Sequence, residues 1–309
     1  MTEVYSSFAK YLKDKYGCRV QKIIVNAGFT CPNRDGTKSF EGCFYCNPHS
    51  FTPSYASPNK SITQQLEEGI KYFSKKYPTQ KYIAYFQNYT NTFGPIDLLK
   101  SKFLEAINFN DQIIGIAIAT RPDCISENIV RLIKDISKER EVFLEIGAES
   151  LSNNALKFCN RAHTFEDTIK AIDICKKFNI WVTLHLIIGL PYDEIYQQPE
   201  LFAKIINNLQ INCIKFHQLQ ILKNTKFEKI YNQNPNIFNL FSLEDYLELI
   251  IKYLERFKPS IFIERFTNEV EPHYLIVPKW NKVKNYQFVH LLRNKMIEMN
   301  TYQGKKCIY

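Results

Sequence analysis

Short apolar segments alternate with longer amphipathic segments along the first two thirds of the chain. The apolar segments have the length and the β-branched content of buried strands. Six strands are predicted, over residues 20–25, 82–87, 113–119, 142–148, 181–188 and 213–219. The amphipathic segments have the helical period, which predicts helices over residues 4–16, 61–77, 96–107, 126–137, 164–178 and 199–209. Ser126 and Thr164 stand where helix N-caps are expected, and Asp167 would complete a capping box with Thr164.

This alternation is typical of a parallel sheet that is covered by helices on its outer side. Six strand–helix repeats are too few for a closed eight-stranded barrel. The predicted fold is therefore α/β, a partial (β/α)6 barrel. Polar residues gather where the strands end, at 87–92, 120–123, 149–150 and 189. Because the carboxyl ends of parallel strands meet at one edge, we expect the site there.

The pattern changes after residue 221. A helix is predicted over 243–257, a strand over 261–265 and a last helix over 284–299. We therefore predict a first domain at 1–222, which contains the N-terminal helix, the barrel and a cysteine-rich loop. Residues 223–309 are predicted to form an α/β extension that packs on the barrel and binds substrate or RNA.

The cysteine-rich loop follows the first predicted strand and runs from Gly28 to Phe51. It contains three of the nine cysteines, namely Cys31, Cys43 and Cys46. The loop is otherwise rich in Gly, Pro, Asn, Asp and Ser, which favour turns. Unrelated buried thiols fit this polar loop poorly. Three thiolates here indicate a metal or cluster site.

Two kinds of metal site remain open at this point. His49 could complete a Cys₃His zinc site with the three cysteines. Alternatively, three thiolates can bind three irons of a four-iron cluster and leave the fourth iron open to a non-protein ligand. The position of the loop at the start of a βα barrel favours the cluster, because a structural zinc site does not require a barrel directed at it.

Composition places the chain among ordinary folded proteins. Hydrophobic residues make up 45% of it and charged residues 23%, which allows a sizeable core. No run of eighteen apolar residues is present, and the first residues lack the apolar core of a signal peptide. We therefore expect a cytoplasmic protein without a membrane segment, whose cysteines are thiols or metal ligands.

The net charge of +9 has two explanations. One is a nucleic-acid partner, and the other is the Lys, Ile and Asn bias of an AT-rich genome. The segment 279–309 carries seven basic side chains and one acidic side chain, a net of +6. Its aromatic residues are Trp280, Tyr286, Phe288, Tyr302 and Tyr309. This mixture suits contact with phosphates and bases, and a terminal helix packed on the core would give a similar pattern.

Several motifs occur in a characteristic order. They are AGFTCPNRDGT with GCFYCN, AYFQNYTNTFGP, ATRPDCI, the NR of FCNRAHT, HLIIGLP, IKFHQLQILKNT and TYQGKK. Over nearly its whole length the chain resembles the YhcC-like branch of the radical S-adenosylmethionine (SAM) superfamily. The common cysteine spacing of that superfamily is C-x₃-C-x₂-C, whereas here eleven residues separate Cys31 from Cys43, as in this branch.

The resemblance implies a 4Fe–4S cluster on Cys31, Cys43 and Cys46, with SAM bound at the open iron. The radical would be generated at the cluster, so no protein residue is assigned as catalytic. Other positions resemble residues that bind SAM in related enzymes. These are Tyr45 and Gly189 beside the adenine, Gln87 and Thr90 at the methionine amino group, Glu149 at the ribose, Arg161 at the methionine carboxylate and His185 at the nucleoside. The alternatives are loop packing for Tyr45, ion pairs for Glu149 and Arg161, and a core position for His185.

The resemblance also implies a substrate. Related enzymes convert the carboxymethylaminomethyl group of the tRNA wobble uridine to aminomethyl, before a separate enzyme methylates it. The expected partners are the tRNA anticodon stem-loop, an electron donor such as flavodoxin or ferredoxin, and that methyltransferase. Candidate substrate contacts are Arg121, Asp123, His217, Gln218 and Lys223. The Arg121–Asp123 pair could equally fasten the barrel rim. Two alternatives stay open: a protein or small-metabolite substrate, and a zinc-bearing RNA-binding module without catalysis.

Overall fold

Seven parallel strands form one curled sheet in the computed structural model, which describes residues 3–75, 77, 79–280 and 283–307. In spatial order they are β1 (Arg19–Val25), β2 (Gln80–Phe86), β3 (Ile113–Thr120), β4 (Glu141–Glu149), β5 (Trp181–Ile188), β6 (Cys213–Gln218) and β8 (Phe262–Arg265). Strands β7 (Ile221–Leu222) and β9 (Leu275–Val277) form a separate antiparallel pair. The sheet is a half-barrel, which confirms the predicted α/β partial barrel and adds a seventh strand to it.

The helices of the described residues follow the strands in the predicted alternation. They are α1 (Phe8–Tyr16), α2 (Ile62–Ser74), α3 (Ile96–Ile107), α4 (Glu127–Ile136), α5 (Asn153–Phe158), α6 (Phe165–Lys177), α7 (Pro199–Asn208), α8 (Lys226–Gln233), α9 (Leu243–Leu254) and α10 (Asn285–Glu298). The side chain of Ser126 accepts a hydrogen bond from the backbone N–H of Ile129, and Thr164 forms the predicted capping box with Asp167. These caps satisfy backbone donors that a helix leaves unpaired at its start.

Alternate residues of each strand face the two sides of the sheet, and the two sides differ in chemistry. In β4, Leu144 and Ile146 face the helices and belong to the main hydrophobic core. Phe143 and Glu145 face the inside of the half-barrel, where Phe143 packs in a smaller apolar cluster. The outer face therefore holds the helices, while the inner face is free to carry polar groups.

Helix α1 fills the end of the half-barrel where the strands begin. Phe8 and Leu12 are buried there, and the ring centroid of Phe8 lies 5.3 Å from that of Phe143. The predicted start of this helix at residue 4 is wrong: it begins at Phe8, because the side chain of Ser7 caps it and Ser7 bridges to Ile263 of β8. With this end filled by apolar side chains, the opening of the half-barrel lies where the strands end.

The C-terminal basic and aromatic segment is largely engaged in packing and ion pairs. Phe288 is buried and the Trp280 indole N–H donates to the carbonyl of Phe241 (2.9 Å). Lys295 pairs with Glu244 (2.8 Å). Lys306 pairs with Glu255, while Tyr286 and Tyr302 are exposed. Lys282 and Tyr309 lie outside the described residues. Most of this segment therefore has structural partners.

The residues that the structure describes contain no helix that is long and apolar enough to cross a bilayer.

Candidate active site

A deep cavity opens at the carboxyl ends of the strands, as the distribution of polar residues predicts. All three loop cysteines line it, together with side chains from the ends of β2 to β6. The polar and charged residues of its wall include Arg34, Tyr45, Gln87, Tyr89, Thr90, Arg121, Glu149, Arg161, His217 and Gln218. The fold thus brings residues that lie almost two hundred positions apart in the sequence to one opening.

The cysteine loop is tied to the segment that follows α5. Asn33 is fully buried, and its side-chain amide donates to the carbonyl of Asn160. The Asn160 side chain returns a hydrogen bond to the carbonyl of Gly42 (2.8 Å). Buried backbone carbonyls require donors, and these two amides supply them across the contact. They therefore hold the cysteine loop against the segment after α5.

Two N–H donors point at the thiol of Cys43. Asn33 Nδ2 and Arg161 Nη1 each lie 3.5 Å from Cys43 Sγ. Burial, together with neighbouring Cys43, raises the pKa of Cys46 to about 11. The raised pKa means that the Cys46 thiol keeps its proton in the metal-free chain. Metal binding requires thiolates, so a bound metal would displace the thiol protons. Donors and a cation beside clustered thiols suit thiolate ligands.

No group of three or more His, Cys, Asp or Glu side chains in the described part of the chain is gathered closely enough to hold one metal ion. His49 does not line the cavity with the three cysteines. In a four-iron cluster each cysteine binds a different iron, so its thiolates do not share one ion.

Glu149 and Arg161 meet above a bulge near the end of β4. The register with β5 shifts between Gly147 and Glu149, and Glu149 has a φ of +67°. Such a backbone is unfavourable for a residue with a side chain and concentrates at functional sites. Arg161 Nη2 donates to the carbonyl of Gly147 (2.7 Å) and lies 3.3 Å from Glu149 Oε1.

Gly147 leaves the space that this pair occupies. A Cβ at position 147 would lie 2.6 Å from Glu149 Oε1 and 2.7 Å from Arg161 Nη2. Both distances are too short for real contacts, so a side chain here would displace the pair. A glycine in the middle of a strand weakens it, and here the close approach of two charged side chains accounts for it.

Several buried polar atoms of the cavity wall have no hydrogen-bond partner in the described structure. They are Tyr45 Oη, Gln87 Oε1, Thr90 Oγ1, Arg121 Nη1, Arg161 Nε and His217 Nε2. Burial holds the pKa of His217 well below its usual range, with Arg265 adding to the effect. Because buried polar atoms are nearly always paired, these atoms fit a polar ligand that fills the cavity.

The inner floor of the cavity holds a network of charged side chains, hereafter the floor network: Lys22, Tyr85, Glu145, His185, Lys215 and Glu264. Glu145 is completely buried and accepts from Lys215 (2.9 Å), Tyr85 (2.7 Å), His185 (2.6 Å) and Lys22. Lys215, Lys22 and His185 outweigh burial and hold the pKa of Glu145 well below its usual range. The sequence pattern did not predict this network, although a charged residue inside each of the four strands β1, β4, β6 and β8 was its signal.

Most of the predicted site residues meet in the cavity. Tyr45, Gln87, Thr90, Glu149, Arg161, His185, Arg121, His217 and Gln218 all line it. Three others do not line it: Asp123 binds Arg121, Lys223 is exposed, and Gly189 forms a turn with a φ of +100° beside Phe241. The roles assigned to all these residues stay predictions.

Comparison with known proteins gives two family matches. The Radical SAM superfamily profile matches residues 28–197, and the Radical SAM C-terminal domain profile matches residues 211–298. YtqA of Bacillus subtilis is 30% identical over 97% of this chain and 92% of its own length. YhcC of Escherichia coli is 28% identical over 91% of this chain and 88% of its own length.

Two further matches are more distant. A tRNA uridine(34) acetyltransferase of Methanocaldococcus infernus is 28% identical over 48% of this chain and 27% of its own length. The structure of an archaeal Elp3 from Methanocaldococcus infernus superposes with a TM-score of 0.68 at 19% identity, over 92% of this chain. At 19% identity the likeness concerns the fold alone, and this chain spans 64% of that Elp3 chain.

The half-barrel, the three cysteines at its opening and the match over more than half of the chain agree with one another. The chain belongs to the radical SAM superfamily, in its YhcC-like branch, and the enzymes of this family bind a 4Fe–4S cluster and SAM.

Proposed function

We propose that this enzyme modifies the wobble uridine of tRNA, converting its carboxymethylaminomethyl group to aminomethyl. In this proposal Cys31, Cys43 and Cys46 hold the cluster. When bound, the cluster and SAM would supply a 5′-deoxyadenosyl radical. Loss of one hydrogen atom and one further electron from the N–CH2 carbon of the arm would leave a C=N bond, with SAM as the two-electron oxidant that ends as methionine and 5′-deoxyadenosine. Water would then split the C=N bond, so that the two-carbon unit leaves as glyoxylate and the nitrogen stays on the aminomethyl group. The cavity residues would bind and orient the two reactants and shield the radical from bulk water.

The unpaired polar atoms of the cavity wall support a SAM site beside the cysteines. Arg161 contacts the Cys43 thiol and keeps Nε free, so its guanidinium is placed to bind the carboxylate of the methionine end. Gln87 Oε1 and Thr90 Oγ1 are free to accept from the amino group. Glu149 would accept from ribose hydroxyls, while Tyr45 would pack near the adenine.

His185 and Gly189 fit less directly into this proposal. His185 lines the cavity, but its Nε2 is already hydrogen-bonded to Glu145. We therefore propose that His185 contacts the nucleoside only through the opposite edge of the imidazole ring. Gly189 shapes the turn after β5 rather than the cavity wall.

The observation that carries the choice of tRNA is the match of about half of the chain to a tRNA uridine(34) acetyltransferase. The net charge of +9 suits a polyanionic partner, because cations on a protein release counterions from nucleic acid. Lys223 is exposed after β7, and the carbonyl of Lys223 accepts from Asn47 of the cysteine loop (2.9 Å). It therefore lies beside the opening and is a candidate for phosphate contact, with Gln218 and His217 inside the cavity as candidate base contacts.

We further propose that residues 1–222 perform the chemistry and that residues 223–309 help to bind RNA. The second part contributes β8 to the sheet and packs α9 and α10 on the barrel. A cytoplasmic location would keep the thiols reduced for cluster assembly. A flavodoxin or ferredoxin is the expected electron donor, and a methyltransferase would use the aminomethyl product.

The experiment is nucleoside mass spectrometry of tRNA from a strain that lacks this gene. The proposal expects carboxymethylaminomethyluridine to accumulate at the wobble position and aminomethyl derivatives to disappear. Return of the wild-type gene should restore the profile, whereas a Cys43→Ala copy should not. An unchanged wobble-uridine profile would refute the tRNA reaction and point to a protein or a small metabolite as the substrate.

A further inference from the structure

Two arginines of the cavity wall each keep one nitrogen without a hydrogen-bond partner. These atoms are Arg161 Nε and Arg121 Nη1, and both side chains are buried. Arg121 Nη2 donates to the carbonyl of Arg161 (2.8 Å), so the two residues are neighbours. We propose that Arg121 binds the carboxylate of the substrate's carboxymethyl arm and thereby selects that arm over uncharged ones. This inference rests on the proposed tRNA reaction.

The remaining donors of Arg121 are already used. Its Nε and Nη2 form a two-pronged contact with Asp123 Oδ1 and Oδ2, at 2.9 and 3.0 Å. Its side chain is only 2% exposed, so the guanidinium is held in one orientation and Nη1 cannot turn to bulk water. A buried charged donor without an acceptor is costly, and it fits an anionic acceptor in the cavity.

The charges around Arg121 leave one positive charge in excess. Lys38 also pairs with Asp123, at 2.5 Å, so two cations share one carboxylate. Arg121 and Lys38 lower the pKa of Asp123 to about 2 despite its burial. Asp123 is therefore a carboxylate at every working pH, and the trio keeps a net charge of +1. The nearby Arg161 has its own carboxylate partner in Glu149.

The proposed reaction brings two carboxylates into the cavity, one on the methionine end of SAM and one on the substrate arm. Arg161 is the arginine that contacts a cluster cysteine, Cys43, and SAM binds at the cluster. The methionine carboxylate is thus assigned to Arg161, which leaves Arg121 for the arm. An uncharged arm would leave the Arg121 charge unpaired, and such a mismatch is a strong basis for selection.

The test uses the reconstituted enzyme and two anticodon stem-loops. One carries the natural carboxymethyl arm, and the other carries its uncharged carboxamide analogue. The wild type should bind the natural arm more tightly by a factor of about 10 to 100, the range for a hydrogen bond to a charged group. Arg121→Gln should bind both arms equally, within about threefold, and should bind SAM in equilibrium dialysis as the wild type does.

Two milder variants change the net charge beside Arg121 in opposite directions and leave the buried guanidinium of Arg121 in place. Lys38→Met removes the excess charge and should weaken binding of the natural arm, whereas Asp123→Asn adds one charge and should tighten it. Each change should be about threefold to tenfold and absent for the carboxamide arm. Arg140→Gln is the matched control, since Arg140 pairs with Asp111 far from the cavity and should change neither arm.

The outcomes separate this inference from the reaction on which it rests. If the wild type converts no carboxymethylaminomethyluridine and binds neither stem-loop, the proposed function fails. If the wild type converts the natural arm but Arg121→Gln still prefers it to the carboxamide, the inference about Arg121 is wrong. If Arg121→Gln instead loses SAM binding by more than tenfold, Arg121 belongs to the cofactor site. Opposite shifts for Lys38→Met and Asp123→Asn support the inference even if Arg121→Gln does not fold.

Discussion

The half-barrel contains two buried polar regions that differ in how completely their atoms are paired. In the floor network, Glu145 accepts from four donors, Lys22 and Lys215 each also approach Glu264, and Glu264 Oε2 is the one buried atom of the six described side chains without a partner. In the upper cavity wall, beside the cysteines, buried atoms of Gln87, Thr90, Arg121 and Arg161 have no partner. Both regions lie inside the same half-barrel.

This difference distinguishes side chains that stabilise the fold from side chains that bind a ligand. A polar network whose charged groups are nearly all paired among themselves needs no ligand and stabilises one arrangement of the strands. Several unpaired buried atoms that gather in one cavity wall fit a bound polar molecule that pairs with them. We therefore expect changes in the floor network to affect folding first, and changes in the upper wall to affect ligand binding first.

The largest effect is expected from Cys43→Ala, which removes a proposed cluster ligand from the upper wall. Iron and sulfide content after anaerobic reconstitution should fall to background, and no 5′-deoxyadenosine should form. Cys18→Ala is the control, because Cys18 lies before β1, away from the cavity, and should leave both quantities unchanged. A Cys43→Ala protein with full iron content would show that Cys43 is not a cluster ligand.

The next largest effect is expected from Glu145→Gln in the floor network. The change leaves Lys22 and Lys215 buried with one carboxylate between them, which should lower the free energy of unfolding by about 3 kcal/mol or more. Glu141→Gln in the same strand is the matched control: its partner Lys15 is substantially exposed, so about 1 kcal/mol or less is expected.

Urea unfolding followed by circular dichroism measures both variants. Equal stabilities of Glu145→Gln and the wild type would mean that the floor network is not structural. A stable Glu145→Gln protein that failed to bind SAM would show that the floor network serves ligand binding rather than stability.

Gly147→Ala should have an intermediate effect confined to the upper wall. The added Cβ meets Glu149 Oε1 and Arg161 Nη2, and displacing this pair should weaken SAM binding by about tenfold, the loss of one charge-assisted contact. Equilibrium dialysis of SAM measures this. Gly304→Ala is a glycine control outside the cavity, where the new Cβ meets Pro259 instead and SAM binding should not change.

His163 provides the effect that is smallest near neutral pH, a pH dependence of stability. Burial and the charge of Arg161 lower the pKa of His163 to about 3 in the folded chain, against about 6.5 for an unfolded histidine. The unfolded chain binds the extra proton between these values, so stability falls as the pH drops from 6.5 towards 3. The slope should be about 1.4 kcal/mol per pH unit at most.

His163→Asn should remove this part of the slope. Urea midpoints of cluster-free wild type and variant, measured between pH 6.5 and pH 4.5, provide the comparison, with exposed His273→Asn as the control. Parallel curves for wild type and His163→Asn would show that His163 titrates normally in the folded chain.

The outer architecture was predictable because it follows from local patterns. The strand Ile113–Thr120 and the helix Glu127–Ile136 are visible as an apolar run and an amphipathic repeat with a capping serine. The cysteine loop was visible for the same reason, since its three cysteines stand within sixteen residues. Helices α5 and α8 and strands β7 and β9 were not predicted, because they are short and lack a clear period.

The inside of the half-barrel could not be predicted, because its pairs are distant in the sequence. Lys22 and Lys215 contact Glu145 across 123 and 70 residues, and a single charged residue in an apolar strand does not reveal its partner. The same holds for Asn33, which reaches Cys43 only when the loop is folded against Asn160. From the sequence, Gly147 only predicts a weaker strand β4. The structure shows that the glycine makes room for the side chain of Arg161.

The proposed function requires that Cys31, Cys43 and Cys46 hold a four-iron cluster that binds SAM beside the unpaired polar wall. Electron paramagnetic resonance of the anaerobically reconstituted, dithionite-reduced protein, recorded before and after addition of SAM, tests it most directly. We expect a brown protein with a reduced-cluster signal that changes when SAM binds, and 5′-deoxyadenosine in the same sample. A colourless protein with one zinc ion, or a cluster signal that SAM leaves unchanged, would contradict it.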